Sequence, residues 1–355
     1  MKSYSKKARG IFISAQAVEG VPTSASYIYQ ENAIACFEPT YDTEISSDTL
    51  EYAGDEFSRD VRTDITDRVL NCSFTTLVPA LGIPVAVPDV ADFPLVHLFE
   101  ATGATVLYSG SADTSLVQAT NKIVSTARIT IMVAAVSADD LALQKTYRGF
   151  DGNTSVDLEL EIDKRTKLKW SPKAIPVDDA ALPETFPEEI LKIVPNYGNQ
   201  KINVMPSLNA KNITQAELVV FGTPDLDVPF VSTTKNFCFS KITASNLFGF
   251  TWERLHNSCQ TGFSKLVAVP DVTITILEDD LTATLQPDKN VTNGGMLEGY
   301  FSFALAYGKV AGKKVHLYFD KLQCVNVKNT EVGSRSAKEL SFKNCSFTTL
   351  SFNAA

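Results

Sequence analysis

The sequence predicts a mainly β protein, a sandwich or barrel with one short flanking helix. Three observations carry this. Short runs rich in β-branched and aromatic residues recur along the chain with turn signals between them. One stretch, Val156 to Asp163, alternates apolar and acidic residues without a break. Helical period is confined to a clear helix around Leu95 to Phe99 and a short helix-like run, PEEILKIV, at 187–194. The chain has 355 residues with 44% hydrophobic content. That is enough for two domains or one large β domain, because single cores rarely grow beyond about 250–300 residues.

Taken in order, the opening from Ile11 ends in a Gly-Val-Pro turn, and Tyr27 to Phe37 reads as a first strand. Val69 to Val78 reads as a second, ended by Pro79. A Pro-rich connector follows, and Pro94 opens the helix. Leu95, Leu98 and Phe99 fall at i, i+3 and i+4, and Gly103 sits where a helix C′ residue belongs. A single apolar stripe predicts that this helix caps a sheet. Strands are expected at 122–136 and 146–150. A turn at Asp151-Gly152-Asn153 then leads into 155–163, where Val156, Leu158, Leu160 and Ile162 point one way and Asp157, Glu159, Glu161 and Asp163 the other. Residues 1–170 read as a first half. The Pro-rich span 171–199 reads as a linker, and 200–355 as a second half of at least seven strands with two long connections, 243–261 and 278–298.

Between the first two strands lies Glu38 to Arg68, with ten carboxylates against three arginines, a local balance of −7 in a chain of net charge −9. No helical or strand period survives in it, so the expectation is a long ordered loop or arm; connections longer than about 12–15 residues are uncommon in compact domains. Tyr41, Ile45, Leu50, Tyr52, Phe57, Val61 and Ile65 recur through it every few positions. Disordered acidic segments are poor in such residues. The spacing predicts an arm laid across another surface, with these residues, together with Arg59 and Arg62, as its contacts.

Composition excludes several functions. A net charge of −9 and a pI near 5.0 argue against gripping nucleic acid by neutralising phosphates. The apolar run after the basic N-terminus is too short for a signal h-region or a membrane span, so export by a signal peptide is not expected. Six cysteines occur with no CxxC pair, which predicts reduced, structural thiols. The three histidines stand in no motif, and no GxSxG, HExxH, P-loop or GxGxxG is present. The acidic turns at Asp151-x-Asn153 and Glu278-Asp279-Asp280 lack the ligand series of a calcium loop. The expectation is a non-enzymatic protein with no catalytic residue, metal or cofactor. One echo stands out: Asn71 to Leu77 and Asn344 to Leu350 are the same heptapeptide, NCSFTTL. A duplicated half is one explanation and chance with shared strand chemistry the other.

The segment from Ala17 to Gly82 resembles the opening of the major tail tube proteins of long-tailed bacteriophages. Glu19-Gly20-Val21-Pro22 is similar to the entry of that family, and Glu56-Phe57-Ser58-Arg59 to its acidic arm. FPLVHLFEATGA is similar to its short helix and VDLELEIDKRTKLKW to its later strand. FCFSKITASNLFGFTWERL and VPDVTITILEDDL are compatible with strands further on. Thr102, where the family's turn has Cys, and the connection 278–298 depart from the pattern. The resemblance implies a tail-tube-like β-sandwich or barrel with a flanking helix, in one or two tube-like halves. Such subunits stack as rings into the channel for genome ejection. It implies a virion tail assembled in the host cytoplasm, with contacts to further copies, the tape measure protein and other tail proteins, to no membrane, and to DNA only in transit. Three chains would close a ring if both halves are tube-like, and six otherwise. In such a channel Asp157, Glu159, Glu161 and Asp163 are candidates for a phosphate-repelling wall, with an ordinary outer face as the other reading. A carbohydrate-binding or adhesin β-sandwich is the alternative function; it needs exposed rim aromatics, and the chain has only Trp170 and Trp252.

Overall fold

The computed structural model describes residues 4–18, 21, 36–53, 59–78, 95–111, 114–137, 144–177, 213–222, 233–257, 260–278, 286–290, 295–308, 314–343 and 345–353. These residues are mainly β, as expected. Sixteen strands join one hydrogen-bonded sheet, and two small two-stranded sheets stand apart from it. The expected strand at 27–37 lies outside the described residues except for its last two positions, and so does most of the connector after Pro79.

Six strands close a barrel: β1 (Tyr4–Gln16), β2 (Phe37–Ala53), β3 (Arg59–Leu77), β6 (Arg128–Ser137), β7 (Gln144–Glu161) and β8 (Lys167–Pro176). They pair antiparallel in the order β7-β6-β1-β2-β3-β8, and β8 returns to β7. Closure removes free edges. The alternation in β8 follows directly: Leu168, Trp170, Pro172 and Ala174 are buried while Lys167, Lys169, Ser171 and Lys173 are exposed. The barrel is narrow at Gly149, where a Cβ would lie 2.6 Å from that of Ala174 and 3.2 Å from Leu70 Cδ2.

Two corrections to the sequence reading arise here. Asp151-Gly152-Asn153 is not a turn between two strands; β7 runs unbroken through it. Register shifts against both β6 and β8 mark a bulge, and Asp151 has φ 48°. Gln16 ties the bulge down. Its side-chain oxygen accepts from the Asp151 N–H at 2.8 Å and its amide nitrogen donates to Asp151 Oδ1. The first residues of the expected linker, 171–176, are strand β8, while 178–199 lie outside the described residues. Pro172 is tolerated because β3 pairs with Lys173 and Trp170 on either side of it.

The second sheet is built on β18 (Lys314–Val332). One edge of β18 pairs with β17 (Tyr300–Tyr307), which continues to β9 (Ile213–Gly222) and β10 (Thr233–Asn236). The other edge is shared by β19 (Arg335–Lys343) and β20 (Phe347–Asn353). From β19 the sheet passes through β14 (Asp271–Leu277) and β11 (Phe239–Ser245) to the C-terminal end of β7. From β20 it passes to β5 (Thr114–Val124) and β4 (Ala104–Ser111). The two halves of the chain therefore exchange strands, with β4 and β5 of the first hydrogen-bonded into the sheet of the second.

The one helix among the described residues, α1 (Val96–Ala101), ends at Gly103 with φ 95°, as its sequence requires. It does more than cap a sheet. Val96, Leu98, Phe99 and Ala101 are all buried, leaving only the His97/Glu100 stripe near the surface. The Phe99 ring meets Trp170 of β8 at 5.2 Å, Phe248 at 5.7 Å and Phe352 of β20 at 6.1 Å, so the helix is the joint between barrel and second sheet. The NCSFTTL copies fall on β3 and on the approach to β20, with Asn344 outside the described residues. In the first, Cys72, Phe74 and Thr76 are buried. In the second, Cys345 and Phe347 are half-buried while Thr348, Thr349, Leu350, Ser351 and Phe352 are all buried. The first copy alternates and the second is covered on both faces, so the two copies are not used alike.

Candidate assembly surface

The acidic segment 38–68 is the outer part of a long β-hairpin, not a loop. Strand β2 pairs with β3 from Phe37↔Thr75 to Ala53↔Arg59, with register shifts between Phe37 and Thr40 and between Ser46 and Ser47. The outer half carries no strand period in its sequence, so the hairpin shows only in the pairing register. The root is held by the barrel. Thr40 pairs with Lys7 of β1, and β3 pairs with β8 from Leu70 to Leu77. Tyr41 is half-buried with its ring 5.0 Å from Tyr147 of β7, which anchors the root of the hairpin. The Thr40 and Ser73 hydroxyls meet at 2.6 Å, and Asn71 donates to Glu44 at 3.1 Å.

From Ile45↔Arg68 outward, β2 and β3 pair only with each other among the described residues. Nine residues of β2 project there, about 27 Å at ~3.3 Å per residue. A lone two-stranded hairpin is marginal in water at best. Ile45, at the start of this segment, is 57% exposed. Of the remaining candidates, Leu50, Tyr52, Arg59, Val61, Arg62 and Ile65 lie on the paired outer strands. Phe57 lies outside the described residues.

The four carboxylates of the expected channel wall are brought together at the end of β7, but not as a bare stripe. Glu159 lies 3.2 Å from Lys169 of β8 and 3.3 Å from Lys241 of β11, and Glu161 lies 2.7 Å from Lys164. Asp157 accepts the Asn246 N–H at 2.8 Å. Asp163 is exposed in the turn after the strand, at φ 66°. Burial alone would raise the Glu159 carboxyl, yet the two ammonium groups hold it below its ordinary 4.5. With Lys167 and Lys173 also outward on β8, this face is a ladder of mixed charge. The lysines were in the sequence, but nothing local put Lys241 beside Glu159.

No family model and no curated protein sequence matches the chain. The geometry therefore carries the functional argument alone. Among the described residues no group of three or more His, Cys, Asp or Glu is placed to hold a metal ion. Burial raises the Cys72 and Cys324 thiols to about 12 and Cys36 to about 11, so these cysteines are packing residues rather than nucleophiles. Trp170 is 1% exposed and donates its indole N–H to Thr76 Oγ1 at 2.8 Å; it is sealed in the barrel and is not a rim aromatic.

Sequence reading missed one strand here. The expected connection 243–261 holds β12 (Phe250–Asn257), which pairs with β13 (Gln260–Val267), itself expected as a strand at 263–269, in a separate two-stranded sheet among the described residues. The available signal was the alternation of Phe250, Trp252 and Arg254 with Thr251 and Glu253, which is too short to separate from chance.

Proposed function

We propose that this chain is a self-assembling structural subunit of the virion, the major tail tube protein of a long-tailed phage, which forms stacked rings around the channel for genome ejection. The observation that carries the proposal is the projecting β2–β3 arm, a two-stranded ribbon whose root is fixed in a closed barrel and whose outer half pairs with no third strand among the described residues. Such a ribbon gains its missing neighbours in a second copy. Rings close by head-to-tail contacts and stacking repeats without end. The partners are then further copies, the tape measure protein and other tail proteins, and the role is structural, without catalysis or cofactor. The β7 face contributes a charge-balanced surface, so repulsion of DNA by Asp157, Glu159, Glu161 and Asp163 is partly offset by their lysines. The carbohydrate-binding alternative loses one of its two tryptophans to the core.

The test removes the arm and keeps its root. Ser46 and Asp67 lie opposite each other, so residues 47–66 can be replaced by Asn-Gly, a turn suited to closing a two-residue hairpin. Deleting 46–55 alone would strand the outer half of β3. The expected result is a cooperative melt like the parent's, with rings and tubes absent from negative-stain micrographs and a monomer in sedimentation. Tubes formed as readily by the shortened chain would overturn the proposal.

A further inference from the structure

Two stretches of the large sheet end it with backbone that pairs with no further strand among the described residues. One is β4, which pairs only with β5. The other is the C-terminal half of β18. Its ladder with β17 ends at Tyr300↔Gln323; just beyond, the Glu298 N–H donates to the Cys324 carbonyl at 3.0 Å and the Cys324 N–H to the Gly299 carbonyl at 3.2 Å. Glu298, at φ 65°, turns the chain away there. From Val325 to Val332 β18 pairs with β19 alone, an open edge about 26 Å long at ~3.3 Å per residue.

Open edges recruit strands, and proteins blunt them with charge, proline or bulges. The β18 edge has a register shift between Cys324 and Asn326 and an exposed lysine, Lys328. Lys328 disfavours a basic strand and admits an uncharged one. Strand β4 carries no such guard. Ala104 to Ser111 contains no charged residue and no proline, its pairing is regular from Thr105 onward, and Leu107 is 41% exposed.

The two edges match in side, direction and face. β4 lies beyond β20 and β5, on the side of β18 opposite its open edge, so the two edges face opposite ways across the sheet. Three antiparallel steps separate β4 from β18, so a copy set beside another in the same orientation offers β4 antiparallel to β18. Leu107 shares a row with Gln118, Ser351 and His316, on the side away from buried Leu317. Asn326 and Lys328 lie on that same side, away from Val327, which packs on the core. The edge strand β10 has four residues and would meet β4 parallel, so it is the poorer match.

From this we infer that β4 of one copy adds to the open edge of β18 in its neighbour and continues the sheet from copy to copy. The inference rests on the self-assembly reading above and names a contact that carries it. Leu107 lies level with His316, and the open edge begins at Val325. The neighbour is therefore displaced along the strands as well as sideways, by about 30 Å or more at ~3.3 Å per residue. Such a contact is heterologous and repeats in one direction, so it joins successive tiers.

Two experiments in the full-length chain test it. Leu107→Lys places a charge on the edge without touching the core. The variant should melt like the parent and raise the concentration at which assemblies form by about tenfold or more. Ser171→Lys, exposed on the closed barrel, should leave that concentration unchanged. The second experiment reads the pairing directly. In a Cys238→Ser/Cys259→Ser background, chains carrying Leu107→Cys are mixed with chains carrying Asn326→Cys, Lys328→Cys or Thr330→Cys and mildly oxidised. At least one mixture should give a disulfide-linked dimer, because cross-strand neighbours on one face are within disulfide reach. A dimer from Leu107→Cys chains alone would mean that β4 pairs with its own counterpart, and overturns the inference. An assembling parent whose Leu107→Lys variant assembles equally well overturns it too, as does the absence of a cross-link in every mixture; both leave the proposed function standing. A parent that stays monomeric at every concentration overturns both.

Discussion

Whether Trp170 is sealed inside the barrel separates a structural subunit from a sugar-binding one, and Thr76→Val measures it. The substitution keeps the volume of the side chain and removes the acceptor 2.8 Å from the indole nitrogen. Both residues are at most 2% exposed, so water cannot replace the lost partner. A buried donor left unsatisfied costs about 1–3 kcal/mol. Trp170→Phe removes the donor and leaves a void between β8 and Phe99, again about 1–3 kcal/mol. Because both changes break the same bond, the double variant should be more stable than the sum of the singles predicts, by about 1 kcal/mol. The assay is urea unfolding followed by far-ultraviolet circular dichroism, which reads the variants without Trp170 as well as those with it; the denaturant slope should stay constant. A Thr76→Val penalty below about 0.5 kcal/mol, or simple additivity, would mean that the indole reaches solvent, and would return Trp170 to the pool of rim aromatics.

Gly149→Ala should cost about 1–3 kcal/mol by overpacking against the Ala174 Cβ at 2.6 Å; adding Ala174→Gly should recover part of it in the same urea assay, and no recovery would place the strain elsewhere. The Glu159 carboxyl is held below 4.5, so its ion pairs contribute above that pH and are lost as pH falls through the lowered value. The stability difference between the parent and Lys169→Met/Lys241→Met should therefore be constant from pH 7 to 5 and shrink below 4.5, and a difference that is flat down to pH 3 would contradict the pairing. In a Cys259→Ser background at pH 8, a thiol reagent should modify exposed Cys238 at once, while Cys36, Cys72 and Cys324 react only in denaturant. Rapid native modification of Cys72 would refute its burial.

The parts of the fold that were legible in the sequence are those decided within a few residues. Pro94, the i, i+3, i+4 stripe and Gly103 mark α1 because a helix is built from local contacts. Val156 to Ile162 announce a strand because one face of β7 meets the core and the other does not. The errors are all non-local. Asp151-Gly152-Asn153 has the composition of a turn, and a bulge uses the same residues; only the register of β6 and β8 decides between them. The arm shows no period in its sequence, and its pairing partner begins only after the tip, so the hairpin is visible in the register alone. Pro172 and Pro176 read as linker residues until β3 and β7 are seen to bracket them. In the candidate surface, the spaced apolar residues of the arm were visible, while the internal role of Tyr41 and the lysines facing Glu159 were not, since Tyr147 and Lys241 lie far along the chain.

The way the arm is rooted bears on how cheaply it can assemble. A ribbon hanging from a flexible loop would lose its freedom of direction on docking, and each immobilised element costs binding energy. Here β2 and β3 are already members of a closed barrel. Tyr41 packs on Tyr147 across it, and the hydroxyls of Thr40 and Ser73 bridge the two strands at the base. The direction of the ribbon is thus set by the fold before a partner arrives. What the fold leaves to a partner is the outer segment, where β2 and β3 pair only with each other among the described residues. Under the proposed self-assembly, the entropy of orienting that ribbon is met on folding, and docking adds only the contacts themselves.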